Sequence, residues 1–400
     1  MPPNILWIVT TQWRAHACGY SGDPNARTPC LDALAAESAN FTQAVTPHPF
    51  GPFARAAMLT GVPSPENGIR DYFDPLPPGA RTIAHDMRDR SYSTAFFGKW
   101  HLYRRDSRAK LTGEEHARIV VPPEYRGGFD FWEGFESGFQ LNNPWLHGSR
   151  LPLPVRFDGY QSDVVCGRAS ETLRALGGPW FAVVSLEAPH PPYDAPAAGV
   201  RARDPGALAL RGNVPAGGGA GERARLELAG YYAHIEATDR SIGGLLSSLP
   251  RDTRIVLTSV HGDMHGSHGL FRKGWPHEES IRVPLLVRVP GAVRREDAPF
   301  SLLHLARMTA GLAGAPAAHP VPGDGLARMS MPSVVRLPDQ CDRIWTGVRT
   351  AARKLVLDGL GAPWLFYDLD EDPLEMRNLS GDPSRAGEIA GLGRMVRCPS

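Results

Sequence analysis

A chain of 400 residues is long enough for two or three ordinary domains, or for one large α/β unit with a small appendage, so it must bury a sizeable core. Its 43 Lys and Arg against 42 Asp and Glu leave a formal net charge of +1, which excludes a general electrostatic attraction to nucleic acid or to an anionic membrane. Apolar residues at 42% and charged residues at 21% exclude a disordered or fibrous chain, while 43 Gly and 38 Pro predict many loops.

The chain opens Met1-Pro2-Pro3-Asn4 without a basic leader, and the run Ile5-Leu6-Trp7-Ile8-Val9 is too short for a signal peptide or a membrane span. Short apolar runs bounded by turn signals recur at Ile5–Thr10, Thr94–Gly98, Trp180–Leu186, Arg254–Val260 and Val283–Val289. Strands apolar on both faces suit a parallel sheet covered by helices. Thr28-Pro29 predicts an N-cap followed by Pro at the first helical position, with Leu31, Leu34 and Ser38 on one face. Residues Ala195–Gly221, rich in Ala, Gly and Pro, predict a mobile excursion. Its glycines are not a phosphate cradle, because no GxGxxG or GKS/T pattern follows a strand there. From Arg225 to Leu249 the positions Leu228, Tyr232, Ile235, Ile242, Leu245 and Leu249 step at threes and fours, with a polar gap at Asp239, as in a long amphipathic helix.

A second Ala/Gly/Pro-rich stretch, Gly311–Gly325, divides an α/β domain of residues 1–325 from a small subdomain of 326–400. Beyond it Arg343–Val348, Lys354–Asp358 and Trp364–Leu369 read as short antiparallel strands. The expected architecture is a doubly wound, mostly parallel sheet flanked by helices, with a small C-terminal antiparallel α+β unit. The cysteines (Cys18, Cys30, Cys166, Cys341, Cys398) are odd in number and contain no CxxC pair, so the expectation is a reduced, cytoplasmic protein without a disulfide framework or cysteine-rich zinc site.

Several segments, in this order, carry a resemblance. They are Pro3-Asn4-Ile5-Leu6-Trp7-Ile8-Val9-Thr10, Thr28-Pro29-Cys30-Leu31-Asp32 with Phe41-Thr42-Gln43-Ala44, Arg55-Ala56-Ala57-Met58-Leu59-Thr60-Gly61, and Gly98-Lys99-Trp100-His101. Later come Ala188-Pro189-His190-Pro191-Pro192-Tyr193, His261-Gly262-Asp263-Met264-His265-Gly266-Ser267-His268-Gly269-Leu270 with Lys273-Gly274, and Leu365-Phe366-Tyr367-Asp368-Leu369-Asp370-Glu371-Asp372-Pro373 with Asn378-Leu379. Together they resemble the sulfatase family of the alkaline phosphatase superfamily over nearly the whole chain. The resemblance implies that family's fold and, at its centre, a Cys or Ser in a C/S-x-P-x-R motif that is oxidised to formylglycine. With Arg55 as the motif arginine, Gly51 stands at the nucleophile, Phe53 at the proline and Ala54 at the following serine. Glycine has no side chain to oxidise or to attack. The family's divalent cation, usually calcium, is held by acids after the first strand and a pair after a later one; the corresponding positions here are Thr11, Gln12, Val260 and His261. Calcium favours six to eight oxygens, several of them carboxylate. No metal and no cofactor are therefore expected.

The resemblance places Arg55, Lys99, His101, His190 and Lys273 around the anion pocket, beside a helix starting near Phe53 whose N–H groups suit sulfate, phosphate or carboxylate. His16 and His304 stand where the family commonly has Asp. The cations would repel one another in an empty pocket. The expected roles are proton transfer by His101, His190 or His261 with Lys99 stabilising charge, and substrate binding by Arg55, Lys273, Gln12, Thr11, Gly51 and His265. The plainer readings are a structural Arg55 and buried, satisfied histidines. His261, Asp263, His265 and His268 also admit a transition-metal loop, and Thr10, Thr11 and Thr46 are the nearby hydroxyls. Two functions follow: an enzyme that acts on a small anionic substrate by elimination, intramolecular displacement, hydrolysis or group transfer, without formylglycine or calcium and in a biosynthetic setting; or an inactive pseudo-sulfatase that binds an anionic ligand or partner protein. No nucleic acid or membrane partner is expected, and the oligomeric state is left open.

Overall fold

The computed structural model of the protein describes residues 2–314 and 325–397. Its strands are β1 (Ile5–Thr10), β2 (Ala39–Phe41), β3 (Ala44–Val45), β4 (Ser93–Lys99), β5 (Phe131–Phe135), β6 (Trp145–Gly148), β7 (Val155–Arg156), β8 (Trp180–Ser185), β9 (Arg254–Ser259), β10 (Leu285–Arg288), β11 (Arg294–Glu296), β12 (Phe300–Ser301), β13 (Leu326–Met331), β14 (Trp345–Thr350), β15 (Arg353–Asp358) and β16 (Pro363–Asp368). The α-helices are α1 (Pro29–Ala36), α2 (Gly51–Thr60), α3 (Ile83–Arg88), α4 (Glu114–Ala117), α5 (Gln161–Ala175), α6 (Ala220–Ser247), α7 (Glu278–Ile281), α8 (Leu305–Gly314) and α9 (Ala386–Arg397).

Four of the apolar runs are β1, β4, β8 and β9, which lie parallel, with β5 beside β4, at the centre of a ten-stranded sheet ordered β11-β2-β10-β9-β1-β8-β4-β5-β6-β7. The fifth run, Val283–Val289, contains β10, which is antiparallel to both β9 and β2. That corrects the expectation of a parallel strand. Burial is non-directional, so an apolar run does not report its sense; the connection does. Between β9 and β10 the chain makes a 3₁₀ turn (Ser267–Gly269) and the four-residue α7, neither long enough for the helical crossover that a parallel return usually makes.

Alternate residues of β1 serve the two faces of the sheet. Ile5, Trp7 and Val9 join Phe53, Met58, Ile83 and Leu305 of α2, α3 and α8 on one side. Leu6 and Ile8 join Leu31, Val165, Leu228 and Ile235 of α1, α5 and α6 on the other. The start of α1 corrects the cap. Thr28 accepts a hydrogen bond from the N–H of Gly19 and donates to Asp32, while the orphan N–H groups of Cys30 and Leu31 are taken by the Asp239 carboxylate of α6 at 3.0 and 2.8 Å. The polar gap in the amphipathic pattern is therefore a cap supplied by another helix. The long helix itself begins at Ala220, before the expected Arg225. The excursion before it is tied to the body, with Asn25 exchanging two hydrogen bonds with the backbone of Ala209.

The C-terminal sheet runs β13-β14-β15-β16, all antiparallel. Its outer face carries α9 through Val348, Leu355, Phe366, Ile389 and Leu392. Its inner face, with Met329, Trp345, Val356 and Tyr367, is part of the core beneath β1. The expected boundary, Gly311–Gly325, begins as the end of α8 and otherwise lies mainly outside the described residues. Among the described residues, no helix is long and apolar enough to cross a membrane.

Candidate active site

In a parallel sheet, side chains just beyond the carboxyl ends of the strands converge on one rim, where such folds place their ligands. Here β1 delivers Thr11 and Gln12, β4 delivers Lys99 and His101, β8 delivers Glu187 and His190, and β9 delivers His261, Asp263 and His265. The N-terminus of α2 adds Gly51. These elements enclose a cleft of about 510 Å³ lined by Thr11, Gly51, Lys99, His101, His190, His261 and Lys273 among others. Gln12, His101, Phe139, His265 and Arg272 all have left-handed backbone, with φ between 44° and 66°. Such strain in non-glycine residues is held only where packing overdetermines it, and it gathers at functional sites.

Both ammonium groups of the cleft are buried. Lys99 Nζ donates to Glu187 Oε1 at 2.7 Å, and Lys273 Nζ donates to Gln12 Oε1 at 2.7 Å and lies 3.1 Å from His190 Nε2. Burial lowers Lys99 to about 8, against the opposing pull of Glu187. Burial likewise lowers Lys273 to about 7, against Asp263. Glu187 is fully buried, its Oε2 has no partner, and no residue-level reading of the sequence had singled it out. The signal was present: a carboxylate closing the strand Trp180–Leu186, buried on both faces, needs a cation. Its presence corrects the picture of a purely cationic pocket, because Lys99 has a counter-charge even when the site is empty.

The histidines are held neutral. Burial first, then the nearby cations, lowers His101, His190 and His261 well below the usual imidazole value. His190 Nδ1 lies 2.8 Å from the Pro191 carbonyl and His261 Nδ1 2.9 Å from that of Gly262, so each donates there and leaves Nε2 as an acceptor. His261 Nε2 has no partner. His101 Nε2 lies 3.3 Å from the Tyr72 hydroxyl, and its Nδ1 faces Gly51. A Cβ placed on Gly51 would stand 2.9 Å from His101 Nδ1 and 3.1 Å from Cε1. The imidazole thus occupies the space into which a side chain at position 51 would grow.

Three expected ligand residues stand behind the wall of the cleft. Arg55 is buried at the far side, donating to Thr11 Oγ1 at 2.8 Å, Ser185 Oγ at 2.6 Å and the Lys99 carbonyl at 3.2 Å, and burial lowers it to about 10. It fixes the residues that form the floor; the plainer, structural reading describes its contacts. Gln12 reaches the cleft only through Lys273, and its Nε2 donates to Asp263. His265 is fully buried against Tyr193 and Tyr231, with its backbone N–H on Asp263 Oδ1. Asp263 is the anchor of this layer. Burial would raise its carboxyl, but His265, Arg272 and the Tyr193 hydroxyl at 2.7 Å outweigh that and hold it below the usual range. His16 and His304 do not line the cleft. Thr10 and Thr46 donate to the carbonyls of Thr258 and His48, and Thr11 to that of Leu186.

The residues at the family's cation position do not fit calcium. Thr11 is shared between Arg55 and Leu186, the amide oxygen of Gln12 already holds an ammonium, Val260 is apolar, and His261 presents nitrogen. The metal-loop reading also fails geometrically, because His268 turns away to Asn213 and stacks on His277 at 4.6 Å. His268, Glu279 and Glu375 do converge within 4.8 Å, but Lys354 already supplies a cation against Glu375.

The fold is that of alkaline phosphatase-like α/β proteins, with the cleft at the carboxyl ends of the parallel strands. The yidJ protein of Bacteroides fragilis superposes with a TM-score of 0.86 at 23% identity, over 99% of this chain and 94% of that one. The phosphonate monoester hydrolase of Agrobacterium radiobacter does so with 0.75 at 21%, over 98% and 94%. In sequence the chain is 33% identical to the ulvan-active sulfatase of Formosa agariphila, over 95% of this chain and 78% of the relative. The sulfatase family profile matches residues 3–315, and the chain belongs to the sulfatase family.

Proposed function

We propose that this sulfatase-family protein is a repurposed enzyme that acts, without formylglycine and without a divalent cation, on a small substrate bearing a sulfate, phosphate or carboxylate group. The observation that carries this reading is His101 Nδ1 facing the bare Cα of Gly51, 2.9 Å from where a nucleophile's Cβ would begin. A neutral imidazole there takes or returns a proton, while the ammonium groups of Lys99 and Lys273 stabilise negative charge that develops as the anion leaves or is attacked. His190, with Nε2 on Lys273, can pass a proton within the same site. Arg55 and Asp263 position this set from behind. Elimination, intramolecular displacement, direct hydrolysis and group transfer all use these roles without a covalent enzyme intermediate. Unpaired Cys18, Cys30, Cys166 and Cys341 support a reducing, cytoplasmic setting.

The test is a panel of small organic sulfates, phosphates and carboxylates, with sulfate or phosphate release and substrate consumption followed by chromatography. Turnover by the parent that falls about 100-fold in His101→Asn, with inorganic sulfate still raising the melting temperature of the variant, supports the enzyme. Stabilisation by anions with no turnover of any member supports the binding protein instead, and no stabilisation sinks both.

Restoring the missing side chain should not restore family chemistry. In Gly51→Cys the new Cβ already crowds the His101 ring, and the acids that would hold a cation are still absent, so a sulfate-ester assay should find no gain in hydrolysis even when a formylglycine-generating enzyme is co-expressed and peptide mass spectrometry reports the oxidation state of position 51. A rate rising more than tenfold in the oxidised variant would show that the rest of the machinery is intact. Extensive chelation should likewise leave the melting temperature of untagged protein unchanged; a fall of several degrees restored by calcium would reinstate the cation.

A further inference from the structure

Lysine is scarce in this chain. Of its 43 basic residues only Lys99, Lys110, Lys273 and Lys354 are lysine, and the rest are arginine. Two of the four stand in the cleft, and their partners differ. Lys99 is held as an ammonium by the Glu187 carboxylate. Lys273 Nζ meets two neutral acceptors instead, Gln12 Oε1 at 2.7 Å and His190 Nε2 at 3.1 Å, and among the described residues no salt bridge joins it to a carboxylate. Each acceptor is fixed by a partner of its own. Gln12 Nε2 donates to Asp263, which turns the amide oxygen toward Lys273, and His190 Nδ1 donates to the Pro191 carbonyl, which leaves Nε2 bare. An ammonium offers three donors, and the loss of one proton leaves two donors and a lone pair. The two acceptors take both donors of the neutral form, so the lone pair of Nζ is its free valence, in a residue that lines the cleft. The surroundings favour that form. Burial, with the cations of Lys99 and Arg272, acts against the proton and outweighs the carboxylates of Asp263 and Glu187. His190 and His261 beside it are neutral. A desolvated lysine next to another cation is the arrangement that activates an amine toward a carbonyl carbon.

We propose that Lys273 is a nucleophilic lysine that forms a reversible imine with a small aldehyde or ketone carrying an anionic group, the anion resting on Lys99. The Nζ lone pair attacks the carbonyl carbon, so that a C–N bond forms and the carbonyl π bond breaks. His190 Nε2 takes a proton from the nitrogen and returns it to the oxygen, which gives a carbinolamine. The remaining N–H proton then passes by the same route to the departing hydroxyl, water leaves, and the C=N bond remains. Nothing is oxidised or reduced. An arginine at this position would keep the charge and lose the reaction, because a guanidinium stays protonated. The nucleophile stands on the neighbours of Lys273 alone, whereas the place of the anion rests on the anion-binding reading above.

Reductive trapping tests both parts. The intact protein is incubated near pH 7.5 with butanal or with succinic semialdehyde, and with cyanoborohydride, which reduces an imine to a stable secondary amine. Peptide mass spectrometry then maps the adducts. Lys110, the exposed lysine of the chain, is the internal reference. Butanal should modify Lys273 at least about tenfold faster than Lys110, because an ordinary surface amine is almost wholly protonated at this pH. Succinic semialdehyde, held by its carboxylate, should modify Lys273 about tenfold faster again, and inorganic sulfate should remove that advantage without slowing Lys110. Lys273→Arg should give no adduct in the cleft. If Lys273 is modified no faster than Lys110, or if Lys99 is modified in its place, while inorganic sulfate still raises the melting temperature, the nucleophile is overturned and the anion-binding reading stands. If the two aldehydes modify Lys273 equally fast and sulfate protects it from neither, the nucleophile stands, and the anion on Lys99 is overturned together with the anion-binding reading.

Discussion

Sulfate should bind ten- to about a thousandfold more tightly at pH 6.5 than at pH 9, because binding draws protons onto two buried lysines. Lys273, lowered to about 7, and Lys99, lowered to about 8, are largely neutral at pH 9 in the empty site, and a bound dianion favours their ammonium forms. Each lysine that must take up a proton weakens binding by up to tenfold per pH unit above its own value in the free protein. Sulfate suits the experiment because its own charge is constant over this range. Lys273→Met should flatten the profile above pH 7, and Lys99→Met above pH 8. The empty protein should show the opposite trend. Below pH 7 the folded and unfolded states both carry the Lys273 proton, so the cost of burying that charge weighs fully on the fold. Between about 7 and the ordinary lysine value of 10.5 the unfolded chain binds the extra proton, and the contribution of Lys273 to stability rises with pH. A sulfate affinity that is flat with pH, measured by titration calorimetry in buffers of differing ionisation enthalpy, would mean that these ammonium groups do not hold the anion.

Glu187→Ala should cost about 3 kcal/mol at pH 7, measured by chemical denaturation, because breaking a buried pair leaves one charge uncompensated. Lys99 and Glu187 are 1% and 0% exposed, so water cannot take over the role of the missing carboxylate. The cost should shrink above pH 8, where Lys99 sheds its proton even with Glu187 present, and that pH dependence distinguishes an electrostatic role from simple packing. Anion binding should move the other way: without its resident carboxylate, Lys99 meets sulfate with no internal competitor, so sulfate should rescue Glu187→Ala more than it stabilises the parent. Equal destabilisation at pH 7 and pH 9.5, with no added rescue by sulfate, would show that the pair contributes no charge to the site.

Much of the fold was legible because its signals are local. β1, β4, β8 and β9 are runs of large apolar residues short enough to be strands, and α6 repeats its apolar face over many turns. The strands β5, β6 and β7 were not legible: Phe131–Phe135 and Trp145–Gly148 mix aromatic, acidic and glycine residues in pieces of five and four, and Val155–Arg156 is two residues long, so pairing to β4 and not propensity makes them strands. β13 and α9 were missed although their apolar residues alternate at Ala327, Met329 and Met331 and step along one helix face at Ile389, Leu392 and Val396. At the site, the order of motifs placed Lys99, His101, His190, His261 and Lys273 on one rim, since strand ends in such a sheet converge whatever the loops do.

Sequence alone therefore determined the strands β1, β4, β8 and β9, the family resemblance, the bare Cα at Gly51 and the loss of acids at Thr11, Gln12, Val260 and His261. These depend on residue identity and chain order. Tertiary structure alone decided which charges meet: that Arg55 holds the floor and not the cleft wall, that Glu187 neutralises Lys99, that Lys273 sits on the amide of Gln12, and that His101 fills the place beside Gly51. It also decided that Phe50, Leu111, Phe139 and Leu337, from segments far apart in the chain, meet in one cleft. The physical reason is range. Hydrophobic periodicity is written within one element, whereas a charge, a hydrogen bond or a cleft wall is a relation between elements whose distance no local pattern encodes.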